Sequence, residues 1–423
     1  MSYLLPISLL TLFTAVKISA GIVLLRPFDA VAIVMLMVIV TTPLSGHRMR
    51  ATGFLVLLPF FAWHVISAFT LGVENGVREL LQVALMMGFA AALMLSVDRL
   101  DYRAAGWVMV AGLAFVLGYT IIWHVFNGHW IGWKHLNNPK AVFGYLPMAL
   151  GCLLLFAAPA QRRMYWLLWW ALPVVIILST ERKALIIYGI LTAMFLVRGR
   201  ILAALPTIGL GALILIAIIN IFSADDFTRQ LRTLLNPIEA GGSEAMVARG
   251  VTPESLSNAQ RTFSFNVAGS YFKEAPLTGI GTNGYFERVG HDYAYLPSFM
   301  RLSIHNEFLR VATENGIIGL ALYLTIWSSA WMRLRHRLSY LRRTGQMTMA
   351  QTSILPFVLM TAPFMYLAFD ASGTPSFAVL IIVAFMPDLA FAALRQRSEK
   401  MVAHPDNIHA GAPRLDAEPL AVE

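Results

Sequence analysis

Residues Ser303 to Gly319, SIHNEFLRVATENGIIG, set a histidine, an amide and three charged side chains where the polar stretch 223 to 303 re-enters a hydrophobic helix. Glu307, Arg310 and Glu314 recur at spacings of three and four, which puts them on one helical face. Charge in such a place is costly unless it is paired or used. Histidine titrates near neutrality and accepts a proton from a hydroxyl, so His305 is the candidate base. The bland alternative is a helix-capping position with a solvent-exposed imidazole. Asn306 and Glu307 beside it can orient the ring or a substrate hydroxyl, and Arg310 and Glu314 lie deeper on the same helix.

A second polar place is the turn Ser179-Thr180-Glu181-Arg182-Lys183. Between Arg163 and Arg198 lie residues 164 to 197, whereas crossing ~30 Å of hydrocarbon twice at 1.5 Å per residue takes about 40 residues. The turn is therefore expected a few ångströms below the membrane surface. Either Glu181 neutralises Arg182 or Lys183 there, or Arg182 holds a phosphate group delivered within the membrane, for which its planar fork is suited.

The polar stretch between these helices is the segment large enough to fold outside the bilayer. Asp225 to Leu235 reads as an interfacial amphipathic helix ended by Asn236-Pro237. Thr252 reads as an N-cap with Pro253 at the first helical position, opening a helix to about Phe272. Leu256, Phe263, Val267 and Tyr271 form its apolar face, and Ser257, Arg261 and Ser264 line another, so Arg261 points away from the packing side. The segment from Pro276 through Gly281 to Gly284-Tyr285 is a glycine-bearing turn, either a bare turn or one whose amides approach an anion or sugar. Asn127 to Lys140 carries His129, His135, Asn137, Asn138 and Lys140 between Trp130 and Trp133, which suits a membrane interface. The two histidines do not have metal-ligand spacing, and no metal or cofactor is expected. Asp370, before the last span, reads as a solvated turn residue or a sugar contact.

These residues are positioned by a strongly apolar chain. The protein has 423 residues, 58% hydrophobic and 13% charged, with a mean hydropathy of +0.66, too much apolar surface for a water-soluble globule. The expected fold is an all-α polytopic membrane protein of about twelve spans: 3–24, 28–44, 51–70, 77–96, 104–126, 141–159, 164–180, 183–197, 202–222, 305–332, 351–369 and 375–394. The corresponding organisation is 1–222 for the first nine spans, 223–303 for one large, partly helical periplasmic loop, 304–394 for the last three spans, and 395–423 for a disordered cytoplasmic tail. Lys17 interrupts the first span, and the N-terminus lacks the basic region and cleavage site of a removed signal peptide.

Basic residues set the orientation. Arg48, Arg50, Arg99, Arg103, Arg162, Arg163, Arg198 and Arg200, then the group from Arg333 to Arg343 and Arg395, Arg397 and Lys400, fall on one side. The other side's short loops hold only Arg26, Arg78, Lys134, Lys140, Arg182 and Lys183. The positive-inside rule puts the first group and both termini in the cytoplasm, and the 223–303 loop outside. The net charge of +9 follows from that topology and does not argue for nucleic acid as a partner. The single cysteine, Cys152, sits in an apolar run, which rules out an intramolecular disulfide framework.

Taken in order, Arg261, then Ala275-Pro276-Leu277-Thr278-Gly279-Ile280-Gly281 with Gly284 and Tyr285, then His305-Asn306 with Leu309, Glu314, Gly316 and Gly319 resembles the O-antigen ligase and Wzy-type polymerase superfamily of bacterial membrane glycosyltransferases, including exopolysaccharide-production proteins of the ExoQ type. Asn138-Pro139-Lys140 and Ser179 to Ala184 resemble two further family segments; Glu181 stands where relatives carry a small or hydroxylated residue. The resemblance implies a GT-C-like helical enzyme of the bacterial inner membrane that moves glycan, without a metal, from a polyprenyl-diphosphate carrier to an acceptor hydroxyl at the periplasmic face.

On that resemblance Arg182 and Arg261 hold the diphosphate and His305 takes the acceptor proton or orients the acceptor. Lys140, Gly281, Tyr285, Asn306 and Glu314 fall to substrate binding. Two guanidiniums can stabilise a diphosphate leaving group where no metal does so, and attack opposite the carrier implies inversion. The partners implied are the lipid-linked donor, a sugar or lipid-linked acceptor, the bilayer and polysaccharide assembly proteins. Polymerisation of a secreted or capsular polysaccharide is slightly preferred over ligation to lipid A-core, because the glycine-rich loop shows no large module for docking a lipid acceptor. A lipid-glycan transporter or flippase is the rival class, but its usual paired repeats are not visible.

Overall fold

The computed structural model describes residues 18–20, 23–25, 27–41, 51–101, 111, 147–148, 150–151, 154–155, 159–178, 182–197, 253–296, 304–345, 347–368 and 374–403. Strands β1 (Ile18–Ala20) and β2 (Val23–Leu25) precede helices α1 (Pro27–Val40), α2 (Ala51–Phe69) and α3 (Val73–Ser96). After α4 (Pro159–Leu178) and α5 (Arg182–Leu196) come α6 (Pro253–Glu274) and the short α7 (Gly284–Asp292). α8 (Glu307–Arg343) is followed by α9 (Met349–Pro356), a π-helical turn over Phe357–Thr361, α10 (Ala362–Ala368) and α11 (Thr374–Ala403). Among the described residues, α2, α3 and α8 are long and apolar enough to cross a membrane. The protein is a helical membrane protein, and the tally of twelve spans extends into residues outside those described.

α2 packs on α3 and α8, while α8 also lies along α11 and α6. Their shared core is built from large apolar side chains such as Phe60, Phe89, Tyr323 and Phe385. At the end of α8 distal to the loop, Asp388 accepts from Arg333 at 3.0 Å and Arg337 at 2.8 Å, tying α8 to α11. Pro387 in α11 has no N–H to donate. Its own carbonyl and that of Ala384 accept from Arg337 and Arg333.

α8 is broken near its start. Gly316 has φ 67° and ψ −171°, which ends the run of helical bonds. The orphaned groups find partners on the turn after α6 and on α2. Ile280 donates its backbone N–H to Thr313 O at 3.0 Å, and Gly281 to Glu314 O at 3.0 Å. Ser67 Oγ donates to Glu314 O at 3.1 Å and Trp63 Nε1 to Asn315 O at 2.9 Å. In return Ile317 donates to Pro276 O at 2.9 Å and Ile318 to Leu277 O at 3.3 Å. A helix interrupted at the membrane survives when neighbours satisfy the freed backbone in this way.

The structure departs from the expected elements in several places. Where a helical span over 3–24 was expected, Ile18–Ala20 pairs antiparallel with Val23–Leu25, Ile18 opposite Leu25; Gly21 and the β-branched residues around it weaken a helix there. α3 begins at Val73 rather than residue 77, with Glu74 in its first turn. α4 begins at Pro159, which is compatible with a first turn, so Arg162 and Arg163 lie inside the helix rather than in a turn before it. α8 runs to Arg343, eleven residues past the expected end of its span, because a helix continues into water where the apolar run stops. The span expected over 351–369 is built from α9, the π turn and α10. α11 reaches Ala403, so the first residues of the segment expected as a disordered tail are helical. The expected spans at 104–126 and 202–222, most of 141–159, and the helix Asp225 to Leu235 fall outside the described residues.

Candidate functional site

Asn306, not His305, caps α8. Its backbone is extended, and its side-chain oxygen accepts from Leu309 N at 2.9 Å, satisfying one orphan donor of the first turn. His305 precedes the cap and is half-buried. Directly after it, Glu307, Arg310 and Glu314 form a buried triad. Arg310 grips both oxygens of Glu307, Nη2 to Oε1 at 2.5 Å and Nε to Oε2 at 3.0 Å, and gives Nη1 to Glu314 Oε2 at 2.7 Å. The helical spacing thus brings the three charges together as expected. Two carboxyl groups thus share one guanidinium inside the protein.

α6 lies beside this part of α8. Thr313 Oγ1 donates to Ala268 O at 3.2 Å, and the end of α6 leads into the turn bonded to Ile317 and Ile318. The two helices therefore run in the same direction. Counting back from that contact, Arg261 is seven residues away along α6, about 10 Å at 1.5 Å per residue, and α8 begins six residues away at Glu307, about 9 Å, with His305 just ahead of its cap. Arg261 and His305 stand at the same end of two neighbouring helices. Arg261 is exposed, with Phe263 and Val267 facing a small core that includes Tyr271, Tyr285, Ile304 and Leu309. Ser264, expected beside Arg261 on the outward side, is buried instead, its hydroxyl on Gln260 O at 2.8 Å.

The glycine-bearing turn spends its amides inside the protein. Gly279 N donates to Ala275 O at 2.8 Å, Ile280 and Gly281 to α8, and Gly284 to Gly281 O at 2.9 Å. Gly281 is thereby bonded to the backbone of Glu314, and Tyr285 is buried in the core beneath α6. Burial pushes the Tyr285 phenol upward. At the far end of α7, Tyr271 donates to Asp292 Oδ2 at 2.7 Å and His291 Nδ1 lies 3.0 Å from Oδ1. Those contacts, His291 first and Tyr271 second, hold the Asp292 carboxyl below the usual range. Burial, then the hydrogen bond to Asp292, pushes the Tyr271 phenol well above the usual value.

A second polar cluster, not singled out from the sequence, adjoins the triad. His64 on α2, only 1% exposed, has Nε2 at 3.3 Å from Glu79 Oε2 on α3. Asn283, in the left-handed region at φ 65°, donates Nδ2 to Glu79 Oε1 at 2.7 Å. Thr282 Oγ1 lies 2.9 Å from His64 O and 3.1 Å from Asn315 Oδ1. Phe377 of α11 bridges the two clusters, its ring 4.6 Å from that of His64 and 5.7 Å from Arg310 Cζ. Two ionisable residues inside the expected spans 51–70 and 77–96 were the available signal, because such residues are rare there unless paired or functional.

Arg182 begins α5, and its side chain lies outside the described residues, as do Lys140, Asn138, Glu181, His129, His135 and Asp370. Among the described residues no group of three or more His, Cys, Asp or Glu is arranged to hold a metal ion. No curated protein matches the chain. Residues 166–324 match the family model described as O-antigen ligase, a stretch that begins within α4, takes in Arg182, Arg261 and the glycine turn, and ends past the break in α8. That is the region where the ordered motifs fall, and over this stretch the chain is similar to the O-antigen ligase family.

Proposed function

We propose that the protein is a membrane glycosyltransferase that moves glycan from a polyprenyl-diphosphate carrier to an acceptor sugar hydroxyl, in the assembly of an exopolysaccharide, capsule or O-antigen. The observation that carries this reading is the common placement of Arg261 and His305 at one end of α6 and α8, within the stretch that matches the O-antigen ligase family. Arg261 supplies an exposed guanidinium for the diphosphate, joined by Arg182 from the start of α5. Fixed cations facing a departing diphosphate stabilise charge as it develops. His305 takes the acceptor proton or holds the acceptor in line, and the reaction inverts the anomeric centre without a metal.

Glu314 acts indirectly in this scheme, since its carboxylate is engaged by Arg310; Gly281 and Tyr285 likewise shape the site from behind. Polymerase chemistry remains slightly preferred over ligation to lipid A-core, with the site on the periplasmic face of the inner membrane. The break in α8 lies near one end of the apolar run rather than at the midplane where transporters bind cargo.

The test uses purified full-length protein in lipid nanodiscs with a lipid-linked oligosaccharide donor and a labelled acceptor. Longer glycan and released carrier diphosphate are expected, with both products lost in His305→Ala and Arg261→Ala. Movement of donor across a vesicle without bond formation, or wild-type product from both variants, overturns the proposal.

A further inference from the structure

α8 carries no charged side chain from Ile317 to Met332. Its exposed residues over that run include Ile317, Ile318, Leu324, Trp331 and Met332, an apolar stripe fit for hydrocarbon. The stripe stops at Arg335, the next exposed charge. From Gly316 to Arg335 is 19 residues, about 28 Å of helix, close to the ~30 Å thickness of the hydrocarbon layer. With Arg335 at one boundary, the break at Gly316 falls at the other.

A second ruler agrees. α2 runs 19 residues from Ala51 to Phe69, with Arg48 and Arg50 preceding it in sequence, so its far end reaches the same boundary. The glycine turn rests on that end: a Cβ on Gly281 would meet Leu71 and Thr70 at 2.7 Å. The turn is also fastened to α8 below the level of the buried triad, through Pro276 to Ile317 and Leu277 to Ile318. Leu277 itself is 64% exposed, beside Ile317 at 46% and Ile318 at 38%. A large aliphatic side chain held rigidly in this position continues the stripe of α8.

We infer that the turn Pro276 to Gly281 is a membrane-embedded wedge, with Leu277 inserted among the acyl chains of the bilayer. Its occupant is bulk lipid, because the exposed Leu277 continues the lipid-facing stripe of Ile317 and Ile318 at the depth that α8 sets. The turn can enter hydrocarbon because the N–H groups of Gly279, Ile280 and Gly281 and the carbonyls of Pro276 and Leu277 are all bonded within the protein. The polar stretch of the chain is thereby anchored in the membrane at a point between α6 and α7, which fixes the height of both helices above the bilayer.

The measurement is depth-dependent fluorescence quenching on the full chain in phosphatidylcholine nanodiscs. Cys152→Ser supplies the background, and single bimane labels are placed through Leu277→Cys, Thr278→Cys, Ile318→Cys and His291→Cys. The label at 277 is expected to lose fluorescence to a nitroxide carried on the lipid acyl chain to the same extent as the label at 318, and to be shielded from iodide. The label at 291 is expected to behave oppositely, and that at 278 reads the same depth if the first variant folds poorly. A label at 277 or 278 quenched by iodide like that at 291 overturns the wedge. Failure of the label at 318 to respond to the lipid nitroxide overturns it as well. No reaction is assayed, so loss of the wedge and loss of the proposed activity are separate outcomes.

Discussion

Gly316 and Leu277 are packed so closely that a Cβ added to Gly316 would sit 2.1 Å from the Leu277 carbonyl oxygen. Two breaks in regular structure, one in a helix and one in a turn, are thus fitted to each other. The φ of 67° with ψ of −171° at Gly316 adds a second demand, since that backbone region is essentially restricted to glycine and a side chain there costs about 1 to 3 kcal/mol. Gly316→Ala is expected to destabilise the protein by about 3 kcal/mol, combining that strain with disruption of backbone bonds worth about 1 kcal/mol each. Gly189→Ala in α5, where nothing lies within 4 Å of an added Cβ, is the control and should be neutral or stabilising. Thermal unfolding in nanodiscs compares them, and equal midpoints for the two variants would dismiss the clasp.

Arg310 holds two carboxylates that have no access to water. Arg310→Met leaves both without their cation, and removing one member of a buried ion pair costs about 3 to 5 kcal/mol. Adding Glu307→Gln and Glu314→Gln to that variant removes the stranded charge and is expected to restore most of the loss. The pattern of loss followed by recovery, read as unfolding midpoints, distinguishes a buried triad from a solvated face. A single variant as stable as wild type would contradict the burial.

The triad and the helix after Pro253 were legible because both depend on local spacing: three charges at three- and four-residue intervals must share a face, and a proline at the first turn fits a helix start. The ends of the spans were less legible. Hydropathy detects where Ile317 to Met332 would contact lipid, but backbone bonding carries α8 on to Arg343. The role of the glycine turn was hidden for a different reason. Gly279 and Gly281 look the same in sequence whether their amides face a ligand or the broken backbone of Thr313 and Glu314, and only the fold brings those partners together. His64 and Glu79 were visible as ionisable residues within apolar runs, yet the bond from Asn283 to Glu79 spans more than 200 positions.

Asn283 serves Glu79 in two ways, with its amide and with its left-handed backbone. Asn283→Gly keeps the backbone freedom and loses the amide, whereas Asn283→Ala loses both. The glycine variant is expected to cost about 1.5 to 3 kcal/mol, the range for a hydrogen bond to a charged group, and the alanine variant more. Combining Asn283→Gly with Glu79→Gln in a double-mutant cycle isolates the pair. Strict additivity would show that the 2.7 Å contact contributes nothing.

The contact between Tyr271 and Asp292 predicts a pH dependence at both extremes. A carboxyl held below its usual range stabilises the folded form above the unfolded aspartate value of about 3.9, and that contribution disappears as pH falls through the folded value. A phenol pushed up keeps its contribution below about pH 10 and loses it as the unfolded tyrosine ionises. The gap in melting temperature between wild type and Asp292→Asn should therefore close in acid, and that for Tyr271→Phe should close in strong alkali. Gaps that stay constant across the range would assign both effects to packing.

Arg261 and His305 occupy the same end of the α6–α8 pair but are assigned different work, and kinetics separates them. In the proposed reaction Arg261 meets the donor diphosphate both before and during transfer, so Arg261→Ala should raise the donor KM along with a fall in kcat. Arg261→Lys keeps the charge without the two-pronged geometry and should recover only part of the loss. If His305 takes the acceptor proton as proposed, His305→Ala should lower kcat by about 10² to 10⁴ with little change in donor KM. Neither side chain takes part in the buried triad, and melting temperatures should hold in all three variants. A His305 variant with impaired donor binding but normal turnover would move that residue from proton transfer to the carrier site, leaving the base to be sought among the other groups at this end of the helices.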